Sequence, residues 1–271
     1  MMPSGPQAAR IARSLLFVPG NRPDRFTKAL ASGAHAVILD LEDAVAPAAK
    51  DEARAMVATW LAQGHPAIVR LNAADTAWYE DDLRMIREAP GVDVMLPKAT
   101  VAAAERAIGA LPRCRFIALL ETVSGYMELP QLATTAGVER IAFGSIDFGV
   151  DSGIADEDDA MIAVRTRIVL ESRAAGLEAP IDGVSPEFGD ETRMLADARR
   201  SKQLGFGGKL CIHPKQAAAV NTAYRPSPEQ LNWARRVVEA FESSGGAATA
   251  LDNRMVDKPV FDHARSILAG L

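Results

Sequence analysis

Residues 14–41 read SLLFVPGNRPDRFTKALASGAHAVILDL. An apolar run, Ser14–Val18, breaks at Pro19-Gly20-Asn21-Arg22, an amphipathic run, Pro23–Ser32, follows, and a second apolar run spans Ala36–Leu41. Neither apolar run alternates with polar residues, as a strand wetted on one face would. Near-continuous apolar runs mark parallel strands covered on both faces, and the amphipathic run between them supplies a helical crossover. The stretch is therefore a β–α–β unit.

The same alternation continues to about Ile212. Six further apolar runs read as strands: Ala67–Leu71, Val92–Leu96, Arg115–Leu120, Arg140–Phe143, Ala179–Ile181 and Gly208–Ile212. Helical patterns separate them at Ala48–Gln63, Tyr79–Glu88, Val101–Ile108, Glu128–Thr134, Asp159–Ala175 and Asp190–Leu204, with Gly64, Gly176 and Gly205 placed to end three of these helices. Eight strand–helix alternations predict an α/β fold, a (β/α)8 TIM barrel, with a doubly wound sheet as the alternative. The barrel is expected over residues 14–222, after a flexible tail at 1–13 and before a C-terminal helical extension at 223–271. That extension holds a helix at Ser227–Phe241, a loop at Ser243–Ala248, the segment Leu251–Asp257 and a final helix at Pro259–Leu268.

Composition narrows the function classes. The chain has 271 residues, 48% of them hydrophobic, enough to bury a core and exclude general disorder. The longest apolar runs, such as Ile117–Leu120, fall far short of the ~18–20 residues of a membrane span. A net charge of −5 without a basic block argues against nucleic acid. Cys114 and Cys211 lie in apolar stretches and read as buried thiols of a reducing compartment. Met1–Arg13 carries two arginines and no acid but lacks a secretory apolar core, so a cytoplasmic location is expected.

Barrel enzymes place their chemistry where the βα loops converge, at the C-terminal ends of the strands. Here those ends deliver Arg22, Asp40-Leu41-Glu42-Asp43, Arg70-Leu71-Asn72, Pro97-Lys98, Glu121, Gly144-Ser145-Ile146-Asp147, Asp182 and His213. Glu121 and Asp147, from adjacent strands, suit a hard divalent cation such as Mg2+, which keeps waters and needs only one or two carboxylates. Glu42 and Asp43 are placed to hold the cation's waters. The alternative for each acid is a helix cap or an arginine partner. Zinc is disfavoured, because His35, His65, His213 and His263 have no ligand partners at metal spacing. Arg70 ends an apolar strand, where its charge requires an anion, either Glu42 or a substrate carboxylate gripped by two hydrogen bonds. Arg22, Arg25 and Lys28 read either as phosphate contacts at the mouth or as a solvated helix face.

In combination these motifs resemble the citrate lyase beta-subunit family of the pyruvate- and phosphoenolpyruvate-binding barrel superfamily. The resemblance is carried by RSLLFVPG at 13–20, AVILDLEDAV at 36–45, VRLN at 69–72, LPK at 96–98 and LETVSG at 120–125. It continues with FGSID at 143–147, GFGGKLCIHPKQ at 205–216 and MVDKP at 255–259. It implies a Mg2+-dependent carbon–carbon lyase, with Mn2+ as a substitute, acting on citramalyl-, citryl- or malyl-type CoA thioesters to give an acyl-CoA and a 2-oxo acid. It further implies Glu121 and Asp147 as metal ligands and Arg70 as the 2-oxo acid anchor, with Glu42 and Asp43 in supporting catalytic roles. By their position at the rim, Gly144, Ser145, Arg22 and Lys28 are expected to bind substrate. Asp257 would be an acid/base supplied by a neighbouring subunit of a homotrimer or hexamer. A citrate lyase complex subunit acting on a carrier-protein thioester, or a non-catalytic 2-oxo acid or CoA-binding barrel, are the other readings. Phe148 and Gly183 depart from the family pattern, which bears on the acyl preference.

Overall fold

The computed structural model describes residues 12–89, 91–157 and 159–269. Eight parallel strands close into a barrel: β1 Ser14–Pro19, β2 Ala36–Asp40, β3 Ile68–Arg70, β4 Asp93–Leu96, β5 Arg115–Leu120, β6 Val138–Phe143, β7 Ile181–Asp182 and β8 Gly208–Cys211. Helices α1 Pro23–Leu30, α2 Lys50–Ala62, α3 Tyr79–Arg87 and α4 Val101–Ala110 follow the first four strands. After β5 come α5 Val123–Met127 and α6 Leu129–Thr134; after β6, α7 Ser145–Ser152 and α8 Ile162–Ala174; after β7, α9 Glu191–Gln203; after β8, α10 Pro214–Tyr224. The barrel is a TIM-type α/β fold, and the doubly wound alternative falls because β1 pairs with both β2 and β8.

One residue per pleat points inward. Leu15, Ile38, Ile68, Met95, Ile117, Leu119, Ala142, Ile181 and Leu210 form the buried interior cluster. Their neighbours along each strand face the helices, so both faces are dry and the runs read as unbroken apolar sequence. The wall is thinnest at β7, whose two residues meet β6 only at Ala142↔Ile181 and β8 at Ile181↔Gly208 and Asp182↔Lys209.

Local differences from expectation have physical reasons. The single helix expected at Glu128–Thr134 is preceded by a second short one, and Pro130, lacking an N–H, sits in the first turn of α6 where none is needed. Helix α7, not expected, ends at Gly153 with φ 73°; its two glycines and two aspartates over Gly144–Ser152 hide a helical period. The expected N-terminal tail lies outside the described residues up to 11. Ala12 and Arg13 are tied in, since their carbonyls accept from Arg140 Nη1 at 2.9 Å and Lys209 N at 2.7 Å. Cys211 is buried, whereas Cys114 is only partly covered.

The chain divides into two compact units between Asn221 and Thr222. The second unit holds α11 Pro228–Ser243, a hairpin of β9 Thr249–Leu251 and β10 Arg254–Val256, and α12 Lys258–Ala269. Ser227 and Gln230 form a reciprocal cap on α11. The hairpin turns at Asp252-Asn253, with φ 49° and 60°, a conformation these two residue types tolerate. Ala234, Val237, Phe241, Val256, Phe261 and Ala264 make this unit's own core. Among the described residues no helix is long and apolar enough to cross a membrane.

Candidate active site at the barrel mouth

A cavity of ≈ 400 Å³ opens at the C-terminal ends of the strands. Phe17, Val184, Leu210 and Ile212 give it an apolar arc on the β7, β8 and β1 side; Asp40, Asp43, Arg70, Glu121 and Asp147 give it a charged arc on the other strands.

Arg70 anchors the charged arc. Its Nε and Nη2 donate to Asp40 Oδ1 and Oδ2 at 2.7 and 2.6 Å. Its Nη1 lies 3.1 Å from Glu42 Oε2 and donates to Asp43 Oδ2 at 3.4 Å. Phe17 packs 4.8 Å from the guanidinium carbon. Asp40 and Arg70 are register partners at the ends of β2 and β3, so the barrel itself sets them side by side. Burial opposes the Arg70 charge, but the Asp40 pair overcomes it and the pKa is raised. The sequence suggested Glu42 or substrate as the anion; the main protein partner is Asp40, which sequence reasoning placed at the rim without a role.

Asp40 also accepts from the amides of Glu42 and Ala44, at 2.9 and 3.1 Å. Lys50, buried on α2, donates from Nζ to the carbonyls of Leu41 and Glu42 at 2.7 Å each. The acidic loop is thus pinned from both sides. Glu42 is buried, neither carboxylate oxygen has a hydrogen bond among the described residues, and burial pushes its pKa up to about 8 against the pull of Arg70.

Glu121 sits one residue past β5. Its Oε1 accepts from Lys98 N at 2.7 Å, an N–H aimed by a left-handed Lys98 backbone of φ 46°. Its Oε2 is buried and has no hydrogen-bond partner among the described residues. Gly144 leaves the room: a Cβ there would meet Glu121 Cβ at 2.5 Å and Oε2 at 2.8 Å. Burial pushes the Glu121 pKa up to about 7, with the Lys98 amide and Arg70 pulling it back and Asp147 adding to the rise. Asp147, in the first turn of α7, lines the same cavity. Ser145 lines it too, its Oγ buried and unpartnered, in space that exists because residue 183 is glycine (a Cβ would come within 2.2 Å of that oxygen). An orphan carboxylate oxygen beside a second carboxylate, with no sulfur or imidazole in the lining, is a donor set that fits a hard cation with waters.

Other predicted residues fall elsewhere. Arg22 donates to Asp24 through Nε and Nη2 at 2.9 Å, and neither Arg22 nor Lys28 lines the cavity. Asn72 is turned onto Asp82, which accepts from its amide and side chain at 2.8 and 2.7 Å. Asp182 points away from the interior and accepts from Arg165 Nε at 2.9 Å. Phe148 is buried against Phe143 and Tyr126 and does not line the cavity. His213 stacks on Phe188 at 4.8 Å. Asp257, in the second unit, accepts from Val260 N at 3.2 Å and so caps α12.

Residues 13–214 match the HpcH/HpaI aldolase/citrate lyase family. The chain belongs to this family. It is a family of lyases, and relatives match along almost the whole chain. A citrate lyase subunit beta-like protein of Mycobacterium tuberculosis is 39% identical over 260 residues, covering 93% of each chain. A (3S)-malyl-CoA thioesterase of Cereibacter sphaeroides is 34% identical, covering 95% of this chain and 93% of its own. The crystal structure of Mycobacterium tuberculosis CitE with magnesium, acetoacetate and coenzyme A superimposes with a TM-score of 0.83 at 36% identity, over 96% of this chain and 98% of that one.

The raised carboxyls make a pH prediction for metal-free protein. Between the ordinary value of 4.5 and about 7 or 8, folded Glu121 and Glu42 keep protons the unfolded chain has shed. Stability from this source is complete below 4.5 and is lost as pH rises through those folded values. Thermal unfolding in EDTA should therefore show a falling midpoint from about pH 5.5 to about pH 8.5. A midpoint that stays level across that window would mean both carboxyls ionise as freely in the fold as in the unfolded chain.

Proposed function

We propose that this chain is a divalent-cation-dependent carbon–carbon lyase for 3-hydroxy-3-carboxy acyl-CoA thioesters of the citramalyl, citryl or malyl type, releasing an acyl-CoA and a 2-oxo acid. The observation that carries the reading is the orphan Glu121 oxygen in a cavity shared with Asp147 and the anchored Arg70. The magnesium, acetoacetate and coenzyme A held by the CitE relative support it.

Glu121 and Asp147 would hold Mg2+ (or Mn2+), with Glu42 and Asp43 accepting from its waters. When bound, the cation supplies a Lewis acid that lowers a hydroxyl pKa and offsets charge on the oxygen that becomes the keto group. Four carboxyls line the cavity against one guanidinium, and a divalent cation held by them would supply the positive charge that a carboxylate-bearing substrate needs there. Binding is expected to be cation first. Arg70, held flat by Asp40 and Phe17, fixes the 2-oxo acid end, and the wall at Gly144 and Ser145 offers that end a buried hydroxyl. Gly144 also admits the Glu121 side chain. Arg22 and Lys28, outside the cavity, are left to the phosphates of CoA.

Cleavage releases the hydroxyl proton to water as the C–C bond breaks and the keto group forms, and it expels a thioester enolate that takes a proton on carbon. Asp257 of a neighbouring copy is proposed as its source, which makes the enzyme a cytoplasmic homotrimer or hexamer with residues 223–271 serving the next subunit. The decisive assay incubates citryl-CoA, both citramalyl-CoA enantiomers and malyl-CoA with Mg2+ and identifies the products. Acetyl-CoA plus a 2-oxo acid is expected; free CoA plus an intact hydroxy acid would instead give this chain the hydrolysis named in its Cereibacter relative. Asp257→Ala should lower turnover by about a hundredfold, the scale of a lost general acid, while 2-oxo acid binding stays near wild type. Equal loss of both would make Asp257 a helix cap and nothing more.

A further inference from the structure

Gln216 is buried on the first turn of α10, and its carboxamide spends every hydrogen-bonding position at the barrel mouth. Oε1 accepts from the amides of Ile212 and His213 at 2.8 and 3.2 Å. Nε2 donates to the carbonyls of Ser185 and Glu187 at 2.6 and 3.2 Å. The first pair resembles the return half of a helix capping box. The second pair does no such duty, because it crosses to the segment after β7. That crossing falls where the barrel is weakest, beside a two-residue strand with a single register partner on β6. Just outside it, Phe188 and His213 stack with planes 10° apart, joining the same two segments. Lys215 N donates to His213 Nδ1 at 3.2 Å and holds that ring in place. The segments so joined carry Val184 and Ile212, two of the four residues of the apolar arc.

We propose that Gln216 is a positioning residue: its carboxamide clamps the segments after β7 and β8 together and so sets the apolar wall against which the carbon end of the substrate rests. The functional half of this statement rests on the lyase reading; the clamp itself does not. The nearest replacements fail: an ionised glutamate accepts but cannot donate, methionine does neither and asparagine is one methylene short.

The test is hydrogen–deuterium exchange of the full chain, paired with thioester kinetics, on Gln216→Met and Gln216→Glu. Gln216→Met should speed exchange in both segments, 184–189 and 212–213, and leave the opposite side of the barrel unchanged. It should raise KM for the thioester about tenfold, with kcat nearly held, since four backbone groups, one of them buried, lose a partner and the wall loosens. Gln216→Glu keeps the acceptor and loses the donors, so exchange should rise in 184–189 and stay low in 212–213. Uniform acceleration over the barrel, or wild-type exchange and KM in both variants, overturns the proposal. If the segments loosen in this pattern while wild-type protein cleaves no thioester, the clamp stands and the lyase reading fails.

Discussion

Glu121→Gln is expected to abolish thioester cleavage, by about a thousandfold or more, and to remove Mg2+ binding, as losing one of two charged ligands withdraws several kcal/mol of stabilisation from the developing oxyanion. The substitution is close to isosteric. Its oxygen can still accept from Lys98 N, and the space left by Gly144 remains sufficient. What disappears is the charge on a buried carboxylate whose second oxygen has no hydrogen-bond partner among the described residues. In metal-free protein that charge is a burden, because burial pushes the Glu121 pKa up to about 7. Glu121→Gln should therefore be at least as stable as wild type at pH above about 7.5, while inactive. Steady-state assay, Mg2+ calorimetry and thermal unfolding on one preparation decide the matter. Near wild-type turnover would move the metal site away from this carboxylate.

Asp40→Ala should be the most damaging single change to the fold at the mouth. Asp40 is 1% exposed and holds Arg70 through two short hydrogen bonds, while its oxygens also receive the amides of Glu42 and Ala44. Removing it leaves a buried guanidinium short of its main partner and two amides without an acceptor. Breaking one side of a buried ion pair costs about 3–5 kcal/mol, and urea denaturation should show a loss of that size. Glu42 and Asp43, also beside Arg70, set the lower end of the range. Asp40→Asn keeps the shape and one of the two acceptors but turns an NH2 towards an Arg70 N–H and a backbone amide, so it too should lose stability and weaken 2-oxo acid binding, because Arg70 is no longer held flat. Wild-type stability for Asp40→Ala would mean that Glu42 and Asp43 alone can hold the cation.

Much of this was legible in the sequence, and for identifiable reasons. Apolar runs such as Ala36–Leu39 and Phe116–Leu120, interleaved with helical patterns, leave few arrangements other than parallel strands wrapped by helices. Strand ends converge in a barrel, so Glu121 and Asp147 could be paired from neighbouring ends, and both line the observed cavity. Direction at a strand end was not legible. Runs that are dry on both faces carry no parity signal, so Asn72 and Asp182 read as rim residues although one is bound to Asp82 and the other to Arg165. Arg22 was equally ambiguous, and its local pair with Asp24 explains why it stays outside the cavity. Helix α7 was hidden by Gly149 within it and Gly144 just before it, although it carries Asp147.

By itself the sequence determined the barrel, the acidic character of its mouth and the placing of Glu121 and Asp147 at neighbouring strand ends, because hydrophobic period and element order are local properties of the chain. Only the tertiary structure decided that Arg70 belongs to Asp40 and that Gln216 joins the segments after β7 and β8. Both depend on register and on contacts across the barrel: a partner 30 positions away in one case, and 29 and 31 in the other. Closing the sheet, not any local preference, brings those groups within hydrogen-bonding distance.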